Sequence, residues 1–164
     1  MKILVLSDSH FYLPSMRQYV EVIQPDAIVH LGDIYQDGRE LSEAYPGIPM
    51  RQVPGNCDQF RCAPGLPRVL VDTLFGVRLF MTHGHEHGVK SGTARLIADA
   101  RKHRAQAALY GHTHIPDCRR LEDGLWVLNP GSSGAFGTAG VIEIDGGAIS
   151  ACYILEQKDL EGKV

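Results

Sequence analysis

Cysteine is scarce in this sequence. Four stand among 164 residues, Cys57, Cys62, Cys118 and Cys152, and no two of them form a Cys-x-x-Cys pair. That excludes the usual thiolate framework of a structural zinc site and gives no basis for a disulfide scaffold. Cys118 and Cys152 read as structural thiols. Long apolar runs are also missing: nothing approaches the ~20 residues of a membrane helix. The opening "MKILVLSDSH" is interrupted by Asp8 and has no cleavage-like site, so no export signal is expected and a reducing cytoplasm is the expected location. Positive charge is not in excess. The net charge is −3 with histidine neutral, which leaves no broad basic surface for nucleic acid or anionic lipid. There is no internal repeat and no long linker, so residues 1–164 are expected to form a single domain.

The remaining composition is that of an ordinary soluble globular chain, 44% hydrophobic and 21% charged. "KILVLSD", 2–8, is a short continuous apolar run and reads as a buried strand. "PSMRQYVEVIQP", 14–25, opens on a proline suited to a first helical turn, carries apolar residues at helical spacing and stops at Pro25. Strands are expected at 26–33 and 50–56, with a short helix near 38–45 between them. Residues 68–85 read as a hairpin turning near Gly76. A helix is expected over 88–104, then a strand ending in "LYGHTH", then short strands to Glu156. The tail beyond is expected to fray. "NPGSSGAFGTAG", 129–140, reads as a Gly/Ser loop, with only a weak phosphate-nest signal. The order gives an α/β protein with two packed sheets and helices outside.

Ligands in such layered folds gather beyond the carboxyl ends of strands. Five strand ends here carry Asp, Asn or His: Asp8 and His10, Asp33, Asn56, His83 and His85, and His112 and His114. Singly, each has a plain reading as a turn former, N-cap or loop histidine. That all five ends should do so independently is improbable. Extended chain projects residues i and i+2 to one side, so Asp8 with His10, and His112 with His114, are expected to serve one locus each. The donors are oxygen and imidazole nitrogen without thiolate. That suits Mn²⁺ first, with Fe, Zn, Co or Ni compatible. Seven ligands exceed one ion's need and match two divalent ions sharing a carboxylate. His30, within a strand, and His103, at a helix end, keep structural readings, and His87 is expected to face solvent.

In order, "DSH" 8–10, "GD" 32–33, "GN" 55–56, "HGH" 83–85 and "GHTH" 111–114 resemble the motifs of the calcineurin-like metallophosphoesterase superfamily, most closely its small single-domain YfcE-like phosphodiesterase branch. "LNPGS", 128–132, resembles the family's following loop. The resemblance implies a four-layer α-β-β-α sandwich of two mixed sheets. It implies that Asp8, His10 and His114 hold one ion, that Asn56, His83 and His112 hold the other, and that Asp33 bridges them. It implies metal-activated hydrolysis of a small phosphodiester, with Asn56 also touching the phosphate. Much of the family has "GNH" where this chain has "GNC", so Cys57 stands at the place of the proposed leaving-group acid. A thiol is a poor substitute there, and His85 is the alternative. The rival activities are phosphomonoester hydrolysis and nuclease action. The rival class is an inactive protein-binding scaffold of the same fold, but such scaffolds alter metal-site histidines that this chain keeps.

Overall fold

The computed structural model describes residues 1–58, 65–134 and 137–160. Cys62 and the last four residues of the tail lie outside them. Two five-stranded sheets form the centre. The first is built from β1 (Lys2–Leu6), β2 (Ala27–His30), β3 (Met50–Gln52), β9 (Thr138–Asp145) and β10 (Ala148–Glu156), in the order β10-β9-β1-β2-β3. The second uses β4 (Val69–Leu74), β5 (Val77–Thr82), β6 (Ala107–Leu109), β7 (Asp117–Arg120) and β8 (Trp126–Asn129), in the order β4-β5-β6-β8-β7. Both sheets are mixed. β1, β2 and β3 run parallel, as do β5, β6 and β8, while the hairpin partners at the edges run antiparallel.

Side-chain alternation sorts the core into layers. Ile3 and Val5 of β1 face the second sheet, with Leu79 and Met81 of β5, Leu109 of β6 and Leu128 of β8. Leu4 and Leu6 point the other way, onto α1 (Leu13–Ile23) and α2 (Tyr35–Ala44) through Met16, Tyr19, Val20 and Leu41. On the far face of the second sheet, Phe80, Ala108 and Val127 pack on Leu96 and Ala100 of α3 (Ala94–Lys102). This is the α-β-β-α order. Cys118 and Cys152 meet across the two sheets, Sγ to Sγ 3.1 Å, beside the inter-sheet core.

Three local expectations change. The helix expected from 88 begins only at Ala94, because Gly88 (φ 65°) and Gly92 (φ 135°) break 88–93 into a short 3₁₀ turn. His87 does not face solvent: it is buried edge-on against Phe80 with Nε2 3.3 Å from Asp99 Oδ2. The chain beyond Glu156 does not fray at once, since Gln157–Leu160 forms a 3₁₀ turn that buries Leu160 in the α1 layer.

Candidate metal centre

β1, β2, β5 and β6 all end on one rim, and their following loops are stitched to one another. Asp8 N–H donates to Gly32 O (2.9 Å) and Gly111 N–H to His83 O (3.0 Å). The Gly/Ser loop closes the set: the Ser132 and Ser133 hydroxyls donate to the Asp8 and Ser7 carbonyls. Its serines thus point into the fold, which supports the structural reading of that loop. The crossing is tight. A Cβ at Gly111 would collide with Ser7 Oγ and Asp8 Oδ2, and one at Gly55 with the Asp33 carboxylate and backbone nitrogen.

Asp8 and His10 do share one locus, as expected, but not by strand alternation, and His112 and His114 do not. Asp8, His10, His112 and His114 lie past the ends of β1 and β6, with φ of 53°, 46°, 69° and 58°, and Asp33 has φ 45°. Left-handed turns, not strand alternation, aim these side chains. Such backbone is unfavourable for non-glycine residues and clusters at functional sites. The consequence is that the paired histidines part company. His10 and His114 converge, Nε2 to Nε2 3.4 Å, with His114 Nε2 3.0 Å from Asp8 Oδ1. His112 instead turns toward His83, ring centroids 5.1 Å apart.

Two groups have metal-ligand spacing among the described residues: Asp8, His10 and His114, and Asp8, Asp33 and His83. Asp8 belongs to both. Its Oδ2 accepts from Ser7 Oγ (2.6 Å) and His112 N–H (3.0 Å), while its buried Oδ1 faces two imidazole nitrogens, His114 Nε2 at 3.0 Å and His83 Nε2 at 4.0 Å. A buried carboxylate oxygen gathered with imidazole nitrogens is a donor set suited to a divalent cation. His83 is aimed for the same purpose. Its Nδ1–H donates to Leu31 O (2.8 Å), which leaves Nε2 facing Asp33 Oδ2 (3.4 Å), Asp8 Oδ1 (4.0 Å) and Asn56 Oδ1 (3.1 Å). A carbonyl behind a histidine is the usual support of a metal-bound imidazole. The donor set, the buried Oδ1 among imidazole nitrogens and the carbonyl-backed His83 fit divalent ions.

Electrostatics agree. Burial opposes charge on His83, but the hydrogen bond and charge of Asp33 and the charge of Asp8 outweigh it and raise its pKa. Burial likewise opposes the Asp33 carboxylate, yet the hydrogen bond and charge of His83 and the Cys57 N–H (2.8 Å) hold its pKa well below the usual range. Asp8 is raised by burial, against the charges of His83 and His114 and the hydrogen bonds from Ser7 and the His112 N–H. His112 is pushed down to about 4 by burial, then by the charges of His83, Lys90 and His85, so its imidazole is neutral and free to ligate at neutral pH.

Cys57 sits at the edge, its thiol pushed up to about 11 by burial and by Asp33. His85 Nε2 lies 3.0 Å from Arg68 Nη1 and its buried Nδ1 has no hydrogen-bond partner. Sequence reasoning missed the supporting groups. Asp58 is buried and accepts from the backbone N–H groups of Asp33, Tyr35 and Gly55, tying two site loops together. It closes the "GNCD" motif, which was the available signal. Arg68 had none.

The family model for the calcineurin-like phosphoesterase superfamily domain matches residues 1–146. The probable metallophosphoesterase YsnB of Bacillus subtilis is 30% identical, covering 80% of this chain and 75% of its own. The phosphodiesterase YfcE of Escherichia coli is 28% identical over 80% of this chain and 79% of its own. The crystal structure of Vps29 from Chaetomium thermophilum superposes with TM-score 0.74 over 95% of this chain and 90% of that one, at 18% identity, a likeness of fold alone. With the sandwich, the shared rim and the model match in agreement, the chain belongs to the calcineurin-like phosphoesterase superfamily, with YfcE among its relatives.

Proposed function

We propose that this chain is a dinuclear metal-dependent phosphodiesterase acting on a small phosphodiester. The observation that carries the reading is Asp8, buried and common to both ligand groups, with its Oδ1 facing the imidazole nitrogens of His114 and His83. Asp8, His10 and His114 would hold one ion, and Asn56, His83 and His112 the other, with Asp33 between them; Mn²⁺ suits this set. Ions there would supply Lewis acidity and lower the pKa of water. The chain's own contribution is placement. Asn56 can ligate through Oδ1 and present its amide N–H groups to a phosphoryl oxygen. Arg68 and His85 stand at the rim as further donors toward an anion. Ser7, the Leu31 carbonyl and Asp58 fix the ligands before substrate arrives, which is where such sites gain most of their rate.

The scaffold reading, suggested by the Vps29 likeness, is disfavoured because every candidate ligand is retained. A nuclease is disfavoured by the net charge of −3. The deciding experiment is a hydrolysis screen of Mn²⁺-reconstituted protein across phosphodiesters, cyclic nucleotides and monoesters. Diester turnover abolished by chelator supports the reading. Preference for monoesters would change the substrate class, and no turnover with both ions bound would favour the scaffold.

A further inference from the structure

A cleft of about 700 Å³ opens directly beside the metal centre, within the usual size range of small-molecule sites. Two candidate ligands, His112 and His114, form one of its walls. The rest of the lining comes from Thr113, Ile115 and Pro116 on the same loop, Thr138 of β9, Glu156 of β10, and Lys90. Ile115 is 69% exposed, the most exposed large hydrophobic side chain among the described residues. It is not on a floppy turn. Buried Asn129 donates through Nδ2 to Gly111 O (3.0 Å) and Thr113 Oγ1 (2.9 Å), and Thr113 Oγ1 accepts in turn from Ile115 N–H (3.2 Å). The loop that delivers two ligands is thus braced to hold an apolar side chain in water next to them. The charges of the cleft are unequal. Glu156 is paired with Lys158 Nζ at 2.6 Å, whereas Lys90 has no carboxylate partner among the described residues.

We propose that this cleft is a subsite for the alcohol portion of the substrate, that the portion it takes is apolar, and that Ile115 is a specificity-determining residue. The proposal rests on the phosphoesterase reading and adds the substrate class: a phosphoester with an alkyl or aryl substituent. The phosphoryl group sits at the ligands. The substituent runs along Ile115 and Pro116, and Lys90 adds positive potential for the anionic head.

Binding of non-hydrolysable alkylphosphonates to the Mn²⁺-loaded protein, followed by calorimetry, tests this without relying on turnover. From methyl- to butyl- to hexylphosphonate, Kd should tighten by about two- to threefold per methylene, as expected for a chain covered on one side by an apolar wall. Ile115→Ser, at an exposed position, should keep the fold and the affinity for methylphosphonate but flatten the dependence on length. Lys90→Gln should weaken every member by a similar factor and leave that dependence intact. Equal affinity across the series in the wild-type protein, or an unchanged length dependence in Ile115→Ser, would overturn the subsite while leaving the phosphoesterase reading standing. Failure of every phosphonate, methyl included, to bind protein that holds its metal would overturn the subsite, while the phosphodiesterase reading is decided separately by the diester screen.

Discussion

His30 is fully buried, and burial together with the charge of His83 pushes its pKa down to about 4. In the unfolded chain it titrates near 6.5. The folded state therefore binds fewer protons between these values. The stability this group contributes is complete above 6.5 and is lost as pH falls toward 4, at up to about 1.4 kcal/mol per pH unit. Urea unfolding of chelated protein should lose stability as pH falls from 7 to 5, with His112, also held near 4, acting in the same direction, and His30→Gln should show a shallower slope; equal slopes would mean His30 does not contribute. The leaving-group acid is a second question at this scale. The Cys57 thiol is held up at about 11 and so is neutral, and burial, then the charge of His83, lowers His85. The thiol is therefore mismatched to acid catalysis near neutrality, and the shift at His85 disfavours the protonated form that an acid needs. Cys57→Ser should keep most of the activity on nitrophenyl and alkyl diesters alike. His85→Ala should slow both by a similar factor, as loss of an orienting donor would. If either variant lost the 10²–10⁴-fold typical of a general acid only on the alkyl diester, that residue would be the acid.

The loops between elements carry a separate constraint, the closeness of their crossings. Gly111 follows β6 and lies against Ser7 and Asp8 after β1. In Gly111→Ala the new methyl must displace Ser7 Oγ, whose bond to Asp8 Oδ2 fixes that carboxylate. Metal affinity should drop by at least tenfold while the circular dichroism spectrum holds, since neither sheet loses a core residue. Unchanged metal content after desalting would show that the loop has slack. Much at this scale was legible in the sequence. The continuous apolar run of β1, the hairpin turn at Gly76 and the proline opening α1 are local signals. What was not legible depends on distant packing. His87 is inside only because Phe80 and Asp99 come to it, and Leu160 because α1 waits there. The site reads in the same way. The seven ligand candidates could be named because each follows a strand, but their aim could not be read, because left-handed φ at Asp8, His10, Asp33, His112 and His114 is imposed by loops that cross. Arg68 lay beyond reach because its partners His85 and Glu86 come from across the hairpin.

For the whole molecule, net charge and site charge run in opposite directions. The chain carries −3, yet two divalent ions at the rim against Asp8 and Asp33 would leave a local excess of two positive charges for an anion to neutralise. Those ions repel. Two unit charges 4 Å apart cost about 4 kcal/mol at an effective dielectric near 20, and two dications four times that. A carboxylate between them is what makes the pair affordable. Elemental analysis after Mn²⁺ reconstitution should therefore give two ions per chain, and a ceiling of one under saturating metal would end the dinuclear reading. Asp33 is the proposed bridge, but Asp8 stands in both ligand groups, so the two make separable predictions. If Asp33 bridges, Asp33→Asn should lose most of both ions and diester hydrolysis should fall to background, with little rescue by excess metal. Removing an end ligand, as in His112→Ala, should weaken one ion and spare the other. The fold should survive Asp33→Asn, because Asp33 lies beyond β2 rather than in either sheet's core. Circular dichroism, metal content and turnover on one sample decide it. If Asp33→Asn retained both ions at near-normal turnover while Asp8→Asn lost both, the bridge would be Asp8, and the division of the seven ligands between the ions would have to be redrawn around it.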